Sequence, residues 1–72
     1  METLYDVQQL FKQFGMYIYV GARIYDTELM MIELKKLYEG QLVDRDTYLQ
    51  AWHILQREHR IEESRGKQKG ID

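Results

Sequence analysis

Apolar residues recur at helical spacing in three stretches of the chain, and each stretch predicts a helix. The apolar positions of the first stretch are Leu4, Val7, Leu10, Phe11 and Phe14. They lie within about a third of a helix circumference, and polar residues occupy the opposite side. Thr3 is placed to cap the start of this helix, and Gly15 is placed to end it. We therefore expect the first helix to cover residues 4–14.

The second stretch is apolar over more than half of its helical circumference, which predicts that it is contacted from two sides. Its apolar positions are Leu29, Met30, Met31, Leu34, Leu37 and Tyr38. Asp26 or Thr27 is a candidate cap at its start, and Gly40 is the expected left-handed residue at its end. The pattern predicts a second helix over residues 27–39.

The third stretch follows a turn of four residues and carries one apolar stripe. That stripe contains Tyr48, Ala51, Trp52, Leu55 and His59. Asp44 is the candidate cap for a helix over residues 45–63, and Leu42 and Val43 in the turn are expected to close the end of the core. The second and third helices then form an antiparallel hairpin, and the first helix covers its open face.

These elements predict an all-α fold, a small three-helix bundle with one domain over residues 1–64 and a disordered tail over residues 65–72. An aromatic and β-branched segment, residues 16–25, joins the first two helices. A lone strand has no sheet to join in so short a chain, so we interpret this segment as an extended connector. Its residues Ile18, Val20 and Ile24 are expected to be buried.

Composition excludes several kinds of site. The 72 residues include no cysteine, so neither a disulfide nor a thiolate metal site can form. No apolar run reaches the length of a membrane span and the first residues do not resemble a signal peptide, so a cytoplasmic location is expected. The formal charge of −2 argues mildly against strong binding to a polyanion.

Candidate catalytic residues are few. Ser64 is the only serine, and His53 and His59 are six residues apart, which places them on different faces of the third helix. The sequence therefore predicts a protein that is not an enzyme and that uses no cofactor and no metal ion.

Between Val7 and Tyr25 the chain has no acidic residue, and two cations, Lys12 and Arg23, are interleaved with three tyrosines. Rings that stack on bases and cations that meet phosphates are what single-stranded nucleic acid requires. The candidate binding residues are Lys12, Tyr17, Tyr19, Arg23, Tyr25, Lys35 and Lys36. The alternative is that the tyrosine rings cover the core and only their hydroxyl groups meet water.

A different function follows from isoleucines that the pattern leaves outside the core. Ile32, Ile54 and Ile61 would form a surface for a protein partner or a homodimer, unless the connector folds over Ile32. Glu33 falls inside the apolar arc of the second helix, so it is expected to accept a hydrogen bond from Arg23 or from a connector tyrosine.

The order of several segments resembles the YqgQ-like family of short bacterial proteins. The resemblance covers residues 3–55 and is carried by Tyr5-Asp6-Val7-Gln8-Gln9-Leu10, Gly15, Tyr17-Ile18-Tyr19-Val20-Gly21, Arg23 and Glu28-Leu29-Met30. It implies a small all-helical bundle, a cytoplasmic setting and binding of single-stranded DNA or RNA. It supplies no functional residues, so the candidate site depends on the charge and aromatic pattern.

Overall fold

The computed structural model describes residues 1–70, with side chains for residues 1–65. It contains three helices, α1 (Leu4–Lys12), α2 (Arg23–Glu39) and α3 (Arg45–Gly70), and residues 1–70 include no strand. α2 and α3 pack together as a hairpin, and α1 packs on α3. The predicted all-α three-helix bundle is thus confirmed. The predicted tail, 65–72, lies almost wholly outside the residues with described side chains and stays a prediction.

The core takes buried apolar side chains from all three helices and from the turn before α3. They are Leu4, Val7, Leu10, Phe11, Met30, Leu34, Leu37, Val43, Ala51, Ile54 and Leu55. Ile54 was predicted to be exposed, and that prediction is wrong. α3 contacts both α1 and α2, so it needs an apolar face toward each of them, and Ile54 lies outside the stripe that the sequence assigned to a single face.

The start of α1 and the start of α3 are capped as predicted. The Thr3 hydroxyl accepts a bond from the Asp6 N–H at 3.4 Å, and Asp6 Oδ2 accepts from the N–H groups of Glu2 and Thr3. These N–H groups, that of Glu2 most strongly, lower the pKa of Asp6. Asp44 Oδ1 accepts from the Thr47 N–H at 2.7 Å, and the side chain and N–H of Thr47 lower the pKa of Asp44.

The same hydrogen-bonded turn ends α1 and α2, but a different type of residue occupies its left-handed position. At Gly15, φ is +72°, and the next N–H, that of Met16, reaches back to the Phe11 carbonyl. After α2, Gln41 is the left-handed residue with φ of +61°, and Gly40 has φ of −82°. The predicted role of Gly40 is therefore wrong by one position.

α2 begins four residues earlier than predicted, at Arg23, after an extended Ala22. Neither Asp26 nor Thr27 caps it, because both already lie inside the helix, where both are buried. Tyr25 therefore belongs to the first turn of α2 and not to the connector.

Two further side chains differ from expectation. Val43 closes the end of the core as predicted, but Leu42 is 60% exposed, because it follows the left-handed turn and leaves the core. Trp52 is half-buried and lies beside Tyr48, with ring centroids 5.9 Å apart.

His59 lies at the edge of the core as expected, and its Nε2 is 2.8 Å from Oε2 of Glu28 on α2.

Replacing Gln41 by glycine should stabilise the fold. A non-glycine residue in the left-handed region is strained by about 1–2 kcal/mol, and glycine relieves that strain at a smaller cost in the entropy of the unfolded chain. For Gln41→Gly we expect a melting temperature higher by about 2–6 °C in a thermal scan followed by circular dichroism. Gln50→Gly, inside α3, should lower it.

The core assignment predicts contrasting effects for two substitutions in one helix. Leu34 is fully buried, so Leu34→Ala should cost about 2–5 kcal/mol. Ile32 is 54% exposed, so Ile32→Ala should change the free energy of unfolding by less than about 0.5 kcal/mol. Urea denaturation followed by the fluorescence of Trp52 measures both. Similar losses for the two variants would show that α2 is rotated from the orientation described.

Candidate functional site

An open groove of about 230 Å³ lies where α1, the connector and α2 meet, and we name it the connector groove. Its floor consists of the apolar side chains Phe11, Met16, Ile18 and Met30. Its rim consists of the polar side chains Gln8, Lys12, Tyr17 and Tyr19. Three of the seven predicted binding residues therefore line a single concave surface.

The connector places its side chains on two sides in alternation. Met16 and Ile18 are half-buried, whereas Tyr17 and Tyr19 are 75% and 82% exposed. Alternation of this kind is what an extended chain produces, because successive side chains point to opposite sides. The alternative interpretation, in which the tyrosine rings cover the core, is therefore excluded for Tyr17 and Tyr19.

A buried carboxylate fixes the end of the connector. Asp26, on α2, is only 8% exposed, and its Oδ1 accepts a hydrogen bond from the Val20 N–H at 2.6 Å. Directly after Val20 the chain turns at Gly21, which has φ of +104°. Because of this turn the Val20 side chain faces solvent, and the prediction that Val20 is buried is wrong. Ile18 and Ile24 are half-buried.

The cations of the predicted site differ in whether they are already neutralised. Among residues 1–65, Lys12 makes no ion pair. Arg23, in contrast, lies 3.7 Å from Oε1 of Glu58, a carboxylate that Arg57 also approaches. Lys12 is thus the cation best placed to attract an anion to the connector groove, and Arg23 would have to leave Glu58 or share it.

The remaining predicted residues do not line the groove. Tyr25, Lys35 and Lys36 are all exposed on α2, and helical spacing places them on its outer face. Lys36 lies roughly 20 Å along the helix axis from Arg23. Its ammonium group is 3.5 Å from Glu33 Oε1. Within residues 1–65 Arg23 pairs with Glu58 and no tyrosine donates to Glu33, so the predicted bond to Glu33 is wrong. A ligand in the groove would reach these lysines only by continuing along α2.

The sequence analysis missed the roles of three residues at the site, Gln8, Asp26 and Met30. Gln8 precedes Lys12 by four residues, so their shared side of α1 could have been predicted from helical spacing. The role of Asp26 could not have been predicted, because its partner is a backbone group whose position depends on the path of the connector. Met30 reaches the groove only because the connector passes over α2.

Other kinds of site find no support within the described part of the chain. Residues 1–65 contain no group of three or more histidine and acidic side chains that could hold a metal ion. None of the described helices is long and apolar enough to cross a membrane. The absence of catalysis and of a cofactor stays a prediction.

Removing the Asp26 carboxylate should release the connector. A hydrogen bond to a charged group contributes about 1.5–3 kcal/mol, so Asp26→Ala should destabilise the fold by roughly that amount. The Val20 amide should also exchange with solvent deuterium much faster in this variant, as measured by nuclear magnetic resonance (NMR). Asp46→Ala, at an exposed carboxylate in α3, is the matched control. Unchanged protection of Val20 in Asp26→Ala would show that other contacts hold the connector.

Comparison with known proteins gives one consistent result. Residues 1–61 match the YqgQ-like family. The chain is also 41% identical over 58 residues to the uncharacterized protein YqgQ of Bacillus subtilis (strain 168), a match that covers 81% of this chain and 82% of that protein. The family match, over residues 1–61, includes α1, the connector, α2 and most of α3. The chain belongs to the YqgQ-like family.

Proposed function

We propose that this protein binds single-stranded nucleic acid, without catalysis and with little dependence on sequence, at the connector groove. The observation that carries the proposal is the exposure of Tyr17 and Tyr19 beside the unpaired Lys12. Large rings this exposed add nothing to the core. They present flat apolar surfaces to solvent, in a stretch of chain that contains no carboxylate.

The two rings supply most of the affinity in this proposal. A base stacked on an aromatic side chain contributes about 1–3 kcal/mol and does so for any base. Tyr17 and Tyr19 are two residues apart, so an extended backbone separates them by roughly 6.6 Å on the same side of the connector. Successive bases of one strand can then stack on successive rings.

Phosphate contacts are few, and their number can be measured. For single strands, the logarithm of the binding constant falls with the logarithm of salt concentration by about 0.7 for each phosphate neutralised. Contacts from Lys12 and Arg23 alone predict a slope of about −1.4, whereas a strand that continues to Lys35 and Lys36 predicts about −2.8. The slope therefore tells whether the strand leaves the groove along α2.

A second candidate function follows from the outer face of α2, where Ile32 and Tyr25 are exposed on the same side. This face would support self-association or a helical partner. The predicted surface of three isoleucines is smaller than expected, because Ile54 lies in the core and leaves only Ile32 and Ile61 exposed. An apolar contact of this kind strengthens with added salting-out salt, whereas strand binding weakens with salt.

Fluorescence anisotropy of a labelled mixed-sequence strand of 15 nucleotides tests the main proposal. We expect saturable binding that weakens with salt, and a loss of about fivefold or more for Tyr19→Ala, since one stacked base is removed. Tyr5→Ala is the matched control, because Tyr5 is 65% exposed but lies on α1 outside the groove. It should bind like the parent protein.

Two results would refute strand binding at the groove. One is no binding at high micromolar protein in low salt. The other is an equal loss of affinity for Tyr5→Ala and Tyr19→Ala. Molecular mass measured by size-exclusion chromatography with light scattering, across a dilution series, tests the second candidate, and a monomer at every concentration would exclude self-association.

A further inference from the structure

We infer that the connector groove holds one nucleobase taken out of the strand, that Gln8 binds the edge of this base, and that the site prefers adenine. The inference rests on the proposed function and adds a base preference to it. It follows from three properties of the groove: its size, its apolar floor and the amide on its rim.

The volume of the groove fits one ring system. At about 230 Å³ it is smaller than the roughly 300–1,000 Å³ of sites for drug-sized molecules. A base enters such a space, but two stacked nucleotides do not. The groove is also open, so a strand can place one base inside it and continue along the exposed tyrosine rings without bending through the core.

The floor of the groove suits the flat face of a base. Met16 and Ile18 are half-buried and offer apolar side chains to a ligand, while Phe11 and Met30, each about 1% exposed, complete the floor from within the core. Methionine is flexible and polarisable, so it adapts its shape to an aromatic ring and contacts it favourably. No carboxylate lines the groove, so a nearby phosphate meets no repulsion from its walls.

Gln8 supplies the chemistry that distinguishes one base from another. Its side chain lines the groove, and within residues 1–65 its amide has no hydrogen-bond partner in the protein. A glutamine amide pairs in a bidentate manner with adenine, because its oxygen accepts from the 6-amino group and its N–H donates to a ring nitrogen. Lys12 lies one helical turn further on the same side of α1, where it can meet the phosphate of the same nucleotide.

Titration of the protein with adenosine 5′-monophosphate, followed by the methyl NMR signals of its four methionines, tests the inference. Met16 and Met30 should shift on binding, whereas Met1 and Met31, which do not line the groove, serve as internal controls. Purine riboside 5′-monophosphate has the same ring system without the 6-amino group. We expect it to bind about fivefold more weakly, because one of the two hydrogen bonds is lost.

Substitution of Gln8 isolates the amide from the stacking surface. Gln8→Ala removes both hydrogen bonds, so it should weaken adenosine monophosphate by at least about fivefold, and the variant should bind the two purine nucleotides equally. Gln9→Ala is the matched control, because Gln9 is also a half-buried glutamine of α1 but does not line the groove. Ribose 5-phosphate tests the phosphate alone and should not shift the Met16 and Met30 signals.

Three outcomes would overturn the inference: equal affinity of the two purine nucleotides, equal effects of Gln8→Ala and Gln9→Ala, or unshifted Met16 and Met30 signals at saturation. If the labelled strand still binds in these cases, the proposed function stands without a base site. If adenosine monophosphate binds in the groove and the strand does not, the groove is a nucleotide site and the strand-binding function is wrong.

Discussion

The packing of α2 against α3 is the interaction on which the rest of the fold depends. α2 contributes Met30, Leu34 and Leu37 to the core, and α3 contributes Ala51 and Leu55. α1 has only nine residues, fewer than an isolated helix needs for stability in water. It is helical because its apolar face is buried against a hairpin that already provides most of the core. The connector in turn needs both α1 and α2 in place.

The connector combines two demands that usually conflict. Such a small domain needs every apolar side chain it can bury, yet a binding surface needs exposed rings. Alternation along an extended chain satisfies both, because Met16 and Ile18 pack inward while Tyr17 and Tyr19 remain outside. The bond from Val20 to Asp26 fixes one end of this segment, and the turn at Gly15 fixes the other. The rings are therefore presented from a segment held at both ends.

The sequence was sufficient where one local pattern decides the structure. Helical spacing placed the core residues of α1, and the caps at Thr3 and Asp44 followed from residue type. Prediction from the sequence failed where contacts between two separate elements determine the position of a side chain. Ile54 is buried because a second helix covers it, and the buried Asp26 accepts a bond from an N–H of the connector, whose path local patterns do not give. At Gln41 the chain accepts a strained residue, which no propensity predicts.

The same reasoning applies to the candidate site. Tyrosines on an acid-free stretch were visible in the sequence, but their exposure was not. The groove was not visible either, since its walls come from α1, the connector and α2. Arg23 shows the limit of counting charges along the chain, because its ion-pair partner, Glu58 on α3, lies 35 residues away in the sequence. The structure therefore reduces the electrostatic attraction that the sequence suggested and leaves the ring surfaces unchanged. For a chain with net charge −2, binding of a strand must then depend on stacking more than on phosphate contacts. A preference for one base over another then requires a polar group on the groove rim, because stacking tolerates any base. Gln8 is the group in the position to provide it.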